Sequence, residues 1–89
     1  MATVRFTRNI QRHVTCEDAR VEGSTVREVL EGYFERNAMA RGYVVDDQGA
    51  LRHHMMVFVD GQPIGDRQWL SDTVRPDSEL DIVQALSGG

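Results

Sequence analysis

Two glycines close the chain, in Ala85-Leu86-Ser87-Gly88-Gly89, directly after the alternating run Leu80-Asp81-Ile82-Val83-Gln84-Ala85. Neither carries a side chain, so such an end threads a passage too narrow for any Cβ and takes backbone angles that other residues avoid. It presents a bare carboxylate on a flexible lead. A carboxylate is a poor electrophile until something activates it, so the chemistry to expect is that of a carrier whose end a partner loads. Chain ends are also commonly small and frayed. The glycine pair therefore takes its meaning from what precedes it.

Other residues with chemical potential are few. Cys16, His13, His53 and His54 suggest a metal or a thiol–imidazole pair at first sight. On a strand, however, the adjacent His53 and His54 project to opposite faces and share no site without a bulge. No C-x-x-C or H-x-x-x-H spacing occurs, and those spacings are what place ligands around one ion. Asp46-Asp47 is most simply a turn, and no carboxylate makes a helical i,i+3 pair with a histidine for acid–base work. No glycine-rich loop cradles phosphate either. No metal is expected, no cofactor bound by the domain itself, and any ATP would be held by a partner.

Composition narrows the classes further. With 89 residues the chain makes one domain with one core, 40% of it hydrophobic, and little room for an enclosed catalytic cavity. The formal charge of −4 and the pI near 5.2 argue against nucleic acid, which calls for a dense basic patch. No apolar run is long enough for a membrane span. Met1-Ala2-Thr3-Val4-Arg5-Phe6 enters a strand pattern at once, so no signal peptide is expected. A single cysteine forms no internal disulfide and fits a reducing cytoplasm. All ten basic residues are arginine. No side-chain amine is present to accept an isopeptide bond, so the chain cannot extend polymers on lysines of its own.

The elements that must hold the tail are legible from periodicity. Thr3 to Arg8 alternates as a half-buried strand, and Cys16 to Val21 is a poorer second strand, plausibly its hairpin partner. Thr25 with Glu28 matches a capping box, and Val26, Val29, Leu30, Tyr33 and Phe34 follow as one apolar stripe. That helix should fade near Asn37 and end before Gly42, with Gly32 costing it about 1 kcal/mol against Ala. Asp46-Asp47-Gln48-Gly49 predicts a turn, Met55 to Val59 the strongest strand, and Asp60-Gly61 its closing turn. A short segment follows at Gln62-Pro63-Ile64, Trp69 and Leu70 are expected to pack under a loop, and Leu80 to Ala85 forms the last strand. The order predicts an α+β fold of the β-grasp plan: a mixed four- to five-stranded sheet covered on one face by one main helix. Residues 1–86 would form the domain and 87–89 a flexible tail.

With this order the chain resembles the ubiquitin-like sulfur carriers, including the small subunit of molybdopterin synthase and the thiamin-pathway carrier. Val4-Arg5-Phe6 resembles the opening strand of that family, and Glu22 to Leu30 the entry to its helix. Leu51 to Gly61 resembles the middle strand and turn, and Asp77 to Val83 the final strand leading to Gly88-Gly89. Two departures stand out: Gln84 and Ala85 occupy positions where many members carry proline, and Leu86 is large where a small residue is common. The resemblance implies that an E1-like adenylating enzyme uses ATP to activate the Gly89 carboxylate. A sulfur donor protein or sulfide then converts it to a thiocarboxylate for a downstream synthase. A protein modifier joined through Gly89, and a β-grasp binding module with an incidental tail, remain the alternatives.

Strand alternation supplies one more expectation. If Met55, Val57 and Val59 face the helix, Met56 and Phe58 face outward, and with Leu80 and Ile82 inward Val83 joins them. Met56, Phe58 and Val83, with Leu86, then make a candidate partner patch on the open sheet face. An inverted register would instead place them in the core.

Overall fold

Alternation at the start of the chain produces strand β1 (Ala2–Phe6), which buries Ala2, Val4 and Phe6 and leaves Thr3 and Arg5 on the other face. A computed structural model of the chain describes residues 1–7 and 17–85. Strand β2 (Ala19–Val21) pairs antiparallel with β1, with Ala2 opposite Val21. The expected hairpin partner is present but shorter than Cys16 to Val21. Glu17 and Asp18 are irregular, and Asp18 instead accepts the Phe6 N–H through its carboxylate at 3.4 Å.

Helix α1 (Val26–Arg36) buries Val26, Val29, Leu30, Tyr33 and Phe34, the stripe expected from spacing. Thr25 caps it, its hydroxyl accepting the Glu28 N–H at 3.2 Å. The reciprocal half of the capping box differs: the Glu28 carboxylate accepts from the Ser24 N–H at 2.8 Å and the Ser24 hydroxyl at 2.9 Å, one residue earlier than the motif. The buried Tyr33 donates its hydroxyl to the Glu17 carbonyl at 2.7 Å, and its ring centroid lies 5.0 Å from that of Phe6.

At Asn37 the backbone leaves helical angles (φ −137°, ψ 69°), and a second helix, α2 (Ala38–Val44), begins at once. The helix thus ends at Asn37, the expected point of fading, but the stretch to Gly42 belongs to a second helix that runs through that glycine. Ala40 and Val44, one turn apart, are buried and hold α2 on the core. Gly32 has a packing reason to be glycine. A Cβ there would stand 2.8 Å from Val21 Cγ1, so the glycine lets β2 approach the helix.

Strand β3 (Met55–Val59) and the two-residue β4 (Gln62–Pro63) form a hairpin through Asp60-Gly61, whose positive φ values of 50° and 83° suit the right-handed twist of the flanking strands. Strand β5 (Glu79–Gln84) completes a five-stranded sheet of order β2-β1-β5-β3-β4. β5 runs parallel to β1 and antiparallel to β3, so Ile82 faces both Phe6 and Val57 across its two ladders. The helices cover one face, and this is the β-grasp, ubiquitin-like fold. Trp69 departs from expectation: it is 64% exposed while Leu70 is buried. The Asp66 carboxylate gathers the Gln68 and Trp69 N–H groups into a tight turn. Leu70 then takes a left-handed conformation (φ 57°), so only one of the two neighbours reaches the core.

Asp60 ties this hairpin to β5. Its carboxylate accepts from the Glu79 N–H at 2.9 Å and the buried Ser78 hydroxyl at 2.8 Å, and these bonds, the Glu79 one foremost, hold its pKa below the ordinary carboxylate value. Asp66, through Ser71, and Glu28, through Ser24, are lowered likewise. A lowered folded-state pKa contributes stability that is full above the unfolded value and is lost as pH falls through the folded one. Asp60→Asn is therefore expected to lower the Tm at about pH 7 and to shrink the Tm difference between about pH 7 and about pH 3, measured by thermal circular dichroism.

Gly32→Ala is expected to destabilise by about 1 kcal/mol in urea unfolding, because overpacking against Val21 exceeds the roughly 1 kcal/mol gain in helix propensity. In a Val21→Ala background the same substitution is expected to become stabilising, which isolates the contact.

Candidate functional site

The central strand of the sheet is the one that carries the tail. β5 is ladder-bonded to β1 as far as Ile82 and to β3 as far as Gln84, and beyond it the Ala85 N–H still donates to the His54 carbonyl at 2.8 Å. Leu86, Ser87, Gly88 and Gly89, and with them the expected boundary between domain and tail, lie outside the described residues. So do Cys16 and His13. The structure therefore describes the platform from which the tail departs.

On one side of that departure point the chain turns at His53-His54 into β3, and both histidines are exposed. Arg52 Nε donates to the Gly42 carbonyl at 2.7 Å, joining this turn to α2. A surface hollow of about 270 Å³ lies between them, lined by Gly42, Tyr43, Arg52 and His54. At the opposite end of β5 a second hollow of about 400 Å³ is lined by Asp60, Arg75, Pro76, Asp77 and Ser78. Among the described residues no three His, Cys, Asp or Glu side chains group so as to hold a metal. No helix among them is long and apolar enough to cross a membrane.

The face of the sheet away from the helices carries Thr3 and Arg5 from β1, Glu79, Asp81 and Val83 from β5, and Met56 and Phe58 from β3. Register fixes this: Met56 lies opposite Val83, Phe58 opposite Asp81, and Arg5 opposite Asp81. Met56, Phe58 and Val83 are half-buried, with Met56 and Val83 paired at the end of the sheet from which the tail leaves and Phe58 further along β3, opposite Asp81. Leu86, grouped with them from the sequence, is not among the described residues. Toward β1 the face becomes ionic. Arg5 Nε donates to Asp81 at 3.0 Å and Arg5 Nη2 to Glu79 at 3.0 Å. These bonds, the Asp81 one foremost, raise the Arg5 pKa further. Exposed ion pairs of this kind add little stability, but they give the face a polar border beside its apolar end.

Sequence reading did not single out Arg52, Tyr43 or Arg67 around the tail platform. Arg52 and Arg67 act through backbone carbonyls, which leave no residue-type signal. The Asp60-Gly61 turn was legible, whereas the reach of its carboxylate to β5 was not.

Comparisons bear on this platform as a whole. A family model described as the ThiS family matches residues 6–89, running through both terminal glycines. No curated protein sequence matches the chain. Among solved structures, a chain of the Amycolatopsis orientalis BexX/CysO complex superposes with a TM-score of 0.83 at 24% identity, covering 100% of both chains. SAMP1 from Haloferax volcanii gives 0.81 at 20% identity, covering 99% of this chain and 98% of that one. Mycobacterium tuberculosis CysO gives 0.81 at 15% identity, covering 97% and 100% respectively. At these identities the structural likeness is one of fold.

Proposed function

The chain belongs to the ThiS family, and on that premise we propose that it is a sulfur carrier, a substrate protein with no catalytic activity of its own. What supports this most is the family match extending to Gly89 together with the position of β5, a central strand whose ladder leads directly to the tail. An E1-like enzyme binds ATP, and the Gly89 carboxylate oxygen attacks its α-phosphorus with loss of pyrophosphate. Sulfide, or a sulfur donor protein, supplies a nucleophile that attacks the acyl carbon. The C–S bond forms as AMP leaves: sulfide gives the thiocarboxylate directly, whereas a persulfide on a donor protein gives an acyl disulfide, which a thiol cleaves by bonding to the donor's sulfur as the thiocarboxylate departs. That group donates sulfur to a downstream synthase in cofactor, cysteine or natural-product biosynthesis, with molybdopterin one such product. The lone cysteine and absence of lysine fit a cytoplasmic carrier that neither forms disulfides nor acylates its own side chains.

Met56, Phe58 and Val83 then serve as the surface by which partners grip the domain while the tail enters their active sites. The fold of the A. orientalis complex is consistent with such docking, since the similar chain there is part of an assembly. A second reading is favoured by one observation: a similar fold carries the name small archaeal modifier protein 1. In that case Gly89 is joined to amines of other proteins, and activation is the same.

Incubation with ATP, sulfide and a panel of adenylating enzymes, followed by intact mass, tests the proposal. A gain of one sulfur in place of oxygen is the expected result. Higher-mass conjugates in lysate would favour the modifier, and no change with any enzyme would defeat both. Gly89→Ala is expected to slow loading about a hundredfold, as a small misplacement of reacting groups does, with an unchanged Tm. Loading at the wild-type rate would remove the tail from the mechanism. Phe58→Ser is expected to raise the KM for loading roughly thirtyfold, the loss typical of a buried aromatic anchor. Serine is the better choice over an acid because Asp81 lies directly across the ladder. An unchanged KM in a folded variant would show that this face is not the grip.

A further inference from the structure

The turn that receives the end of β5 is itself held from outside by a single guanidinium. Arg67 Nη2 donates to the Met55 carbonyl at 2.7 Å, to that of Arg52 at 2.8 Å and to that of His53 at 3.3 Å. Of the four consecutive carbonyls from 52 to 55, the remaining one, that of His54, accepts the Ala85 N–H at 2.8 Å. The Arg67 carbonyl meanwhile accepts the Leu51 N–H at 2.8 Å. One residue thus grips the turn through both its main chain and its side chain.

The edge it grips would otherwise be bare. β4 pairs with β3 only at Phe58 and Val59, with Ile64 N–H adding one bond to the Val57 carbonyl. The outer side of β3 at Met55 has Arg67 where a strand would supply donors. The arm carrying Arg67 is fixed in turn. The Asp72 carboxylate accepts the Gly65 and Asp66 N–H groups, and Arg27 Nε holds the Trp69 carbonyl at 2.8 Å. Leu70, in its left-handed conformation, buries the far end of the loop. All three bonds leave one nitrogen, whose two N–H groups are shared among the carbonyls with the His53 contact the longest, and charged donors make the stronger bonds to carbonyls.

We infer that Arg67 is a positioning residue for tail loading: by holding the 52–55 turn it keeps Ala85 bonded to His54, and so fixes where the C-terminal segment leaves the sheet. This rests on the carrier reading above. With Ala85 fixed, four residues remain beyond it, a reach of about 14 Å when extended. If the Ala85–His54 bond opens, the lead lengthens, and its added residue must be ordered each time the tail enters a partner. Ordering one more residue costs backbone entropy, a cost that falls on productive binding and leaves the chemical step alone.

The test combines amide hydrogen exchange with loading kinetics. Arg67→Ala is expected to speed exchange of the Ala85 amide about tenfold while amides in the centre of β3 and β5 keep their wild-type protection. The KM for loading by an adenylating enzyme that accepts the wild-type chain should rise about fivefold with kcat unchanged. Arg67→Lys, which restores one charged donor, should recover part of both effects. It also serves as the test variant if the alanine form loses core protection. Ala85 exchange at the wild-type rate in a folded variant would overturn the clamp. Faster exchange with an unchanged KM, or a fall in kcat alone, would overturn its role in loading. If no enzyme loads the wild-type chain, the carrier reading fails and the loading role with it, while the exchange result still judges the clamp.

Discussion

Strand β5 lies between β1 and β3, parallel to the first and antiparallel to the second, and the fold depends on that placement. A parallel pair cannot be closed by a tight turn, so everything between β1 and β5 has to be a crossover. α1, α2, the β3–β4 hairpin and the irregular segment to Ser78 all lie on that path. The last strand is central, paired with β1 as far as Ile82 and with β3 as far as Gln84. Leu80 and Ile82 on its inner face are fully buried. Each such aliphatic side chain contributes about 1.5–3 kcal/mol through burial. A carrier end mounted there has a fixed origin, which a frayed edge strand would not give it.

The stretch from Val45 to Ser78 contains little regular structure, yet its backbone is well supplied with partners. Charged side chains do much of this. Asp46, Asp60, Asp66 and Asp72 accept main-chain N–H groups of their turns and neighbours. Arg27, Arg52 and Arg67 donate to main-chain carbonyls. Groups that read in the sequence as a diffuse acidic surface with scattered arginines are largely fasteners for loop backbone. This is the alternative that polar side chains offer where helix and ladder bonds are missing. It also accounts for carboxylates that carry lowered pKa values without forming any catalytic pair.

The open sheet face has two characters. Its apolar end, at Met56 and Val83, adjoins the departure of the tail, while Arg5, Glu79 and Asp81 border it toward β1. Apolar contact area beside a polar rim is the ordinary anatomy of a recognition surface. Here it stands next to the end of β5. In the proposed function grip and delivery are separate tasks on one strand: Val83 for the first, the residues after Ala85 for the second.

Local signals in the sequence determined the alternating strands, the apolar stripe of α1, the Asp60-Gly61 turn and the terminal glycines, along with the lack of any lysine. Each is written in residue type and short-range spacing, which periodicity and turn chemistry translate directly. Only the tertiary structure decided the rest. It started a second helix at Ala38, turned Trp69 outward while burying Leu70, moved the Glu28 contact to Ser24, and gave Gly32 its purpose against Val21. It also set Arg67 on the turn that holds Ala85. Those outcomes depend on backbone carbonyls and close approaches between segments distant in sequence. A carbonyl is the same in every residue, so no choice of amino acid announces which guanidinium will find it.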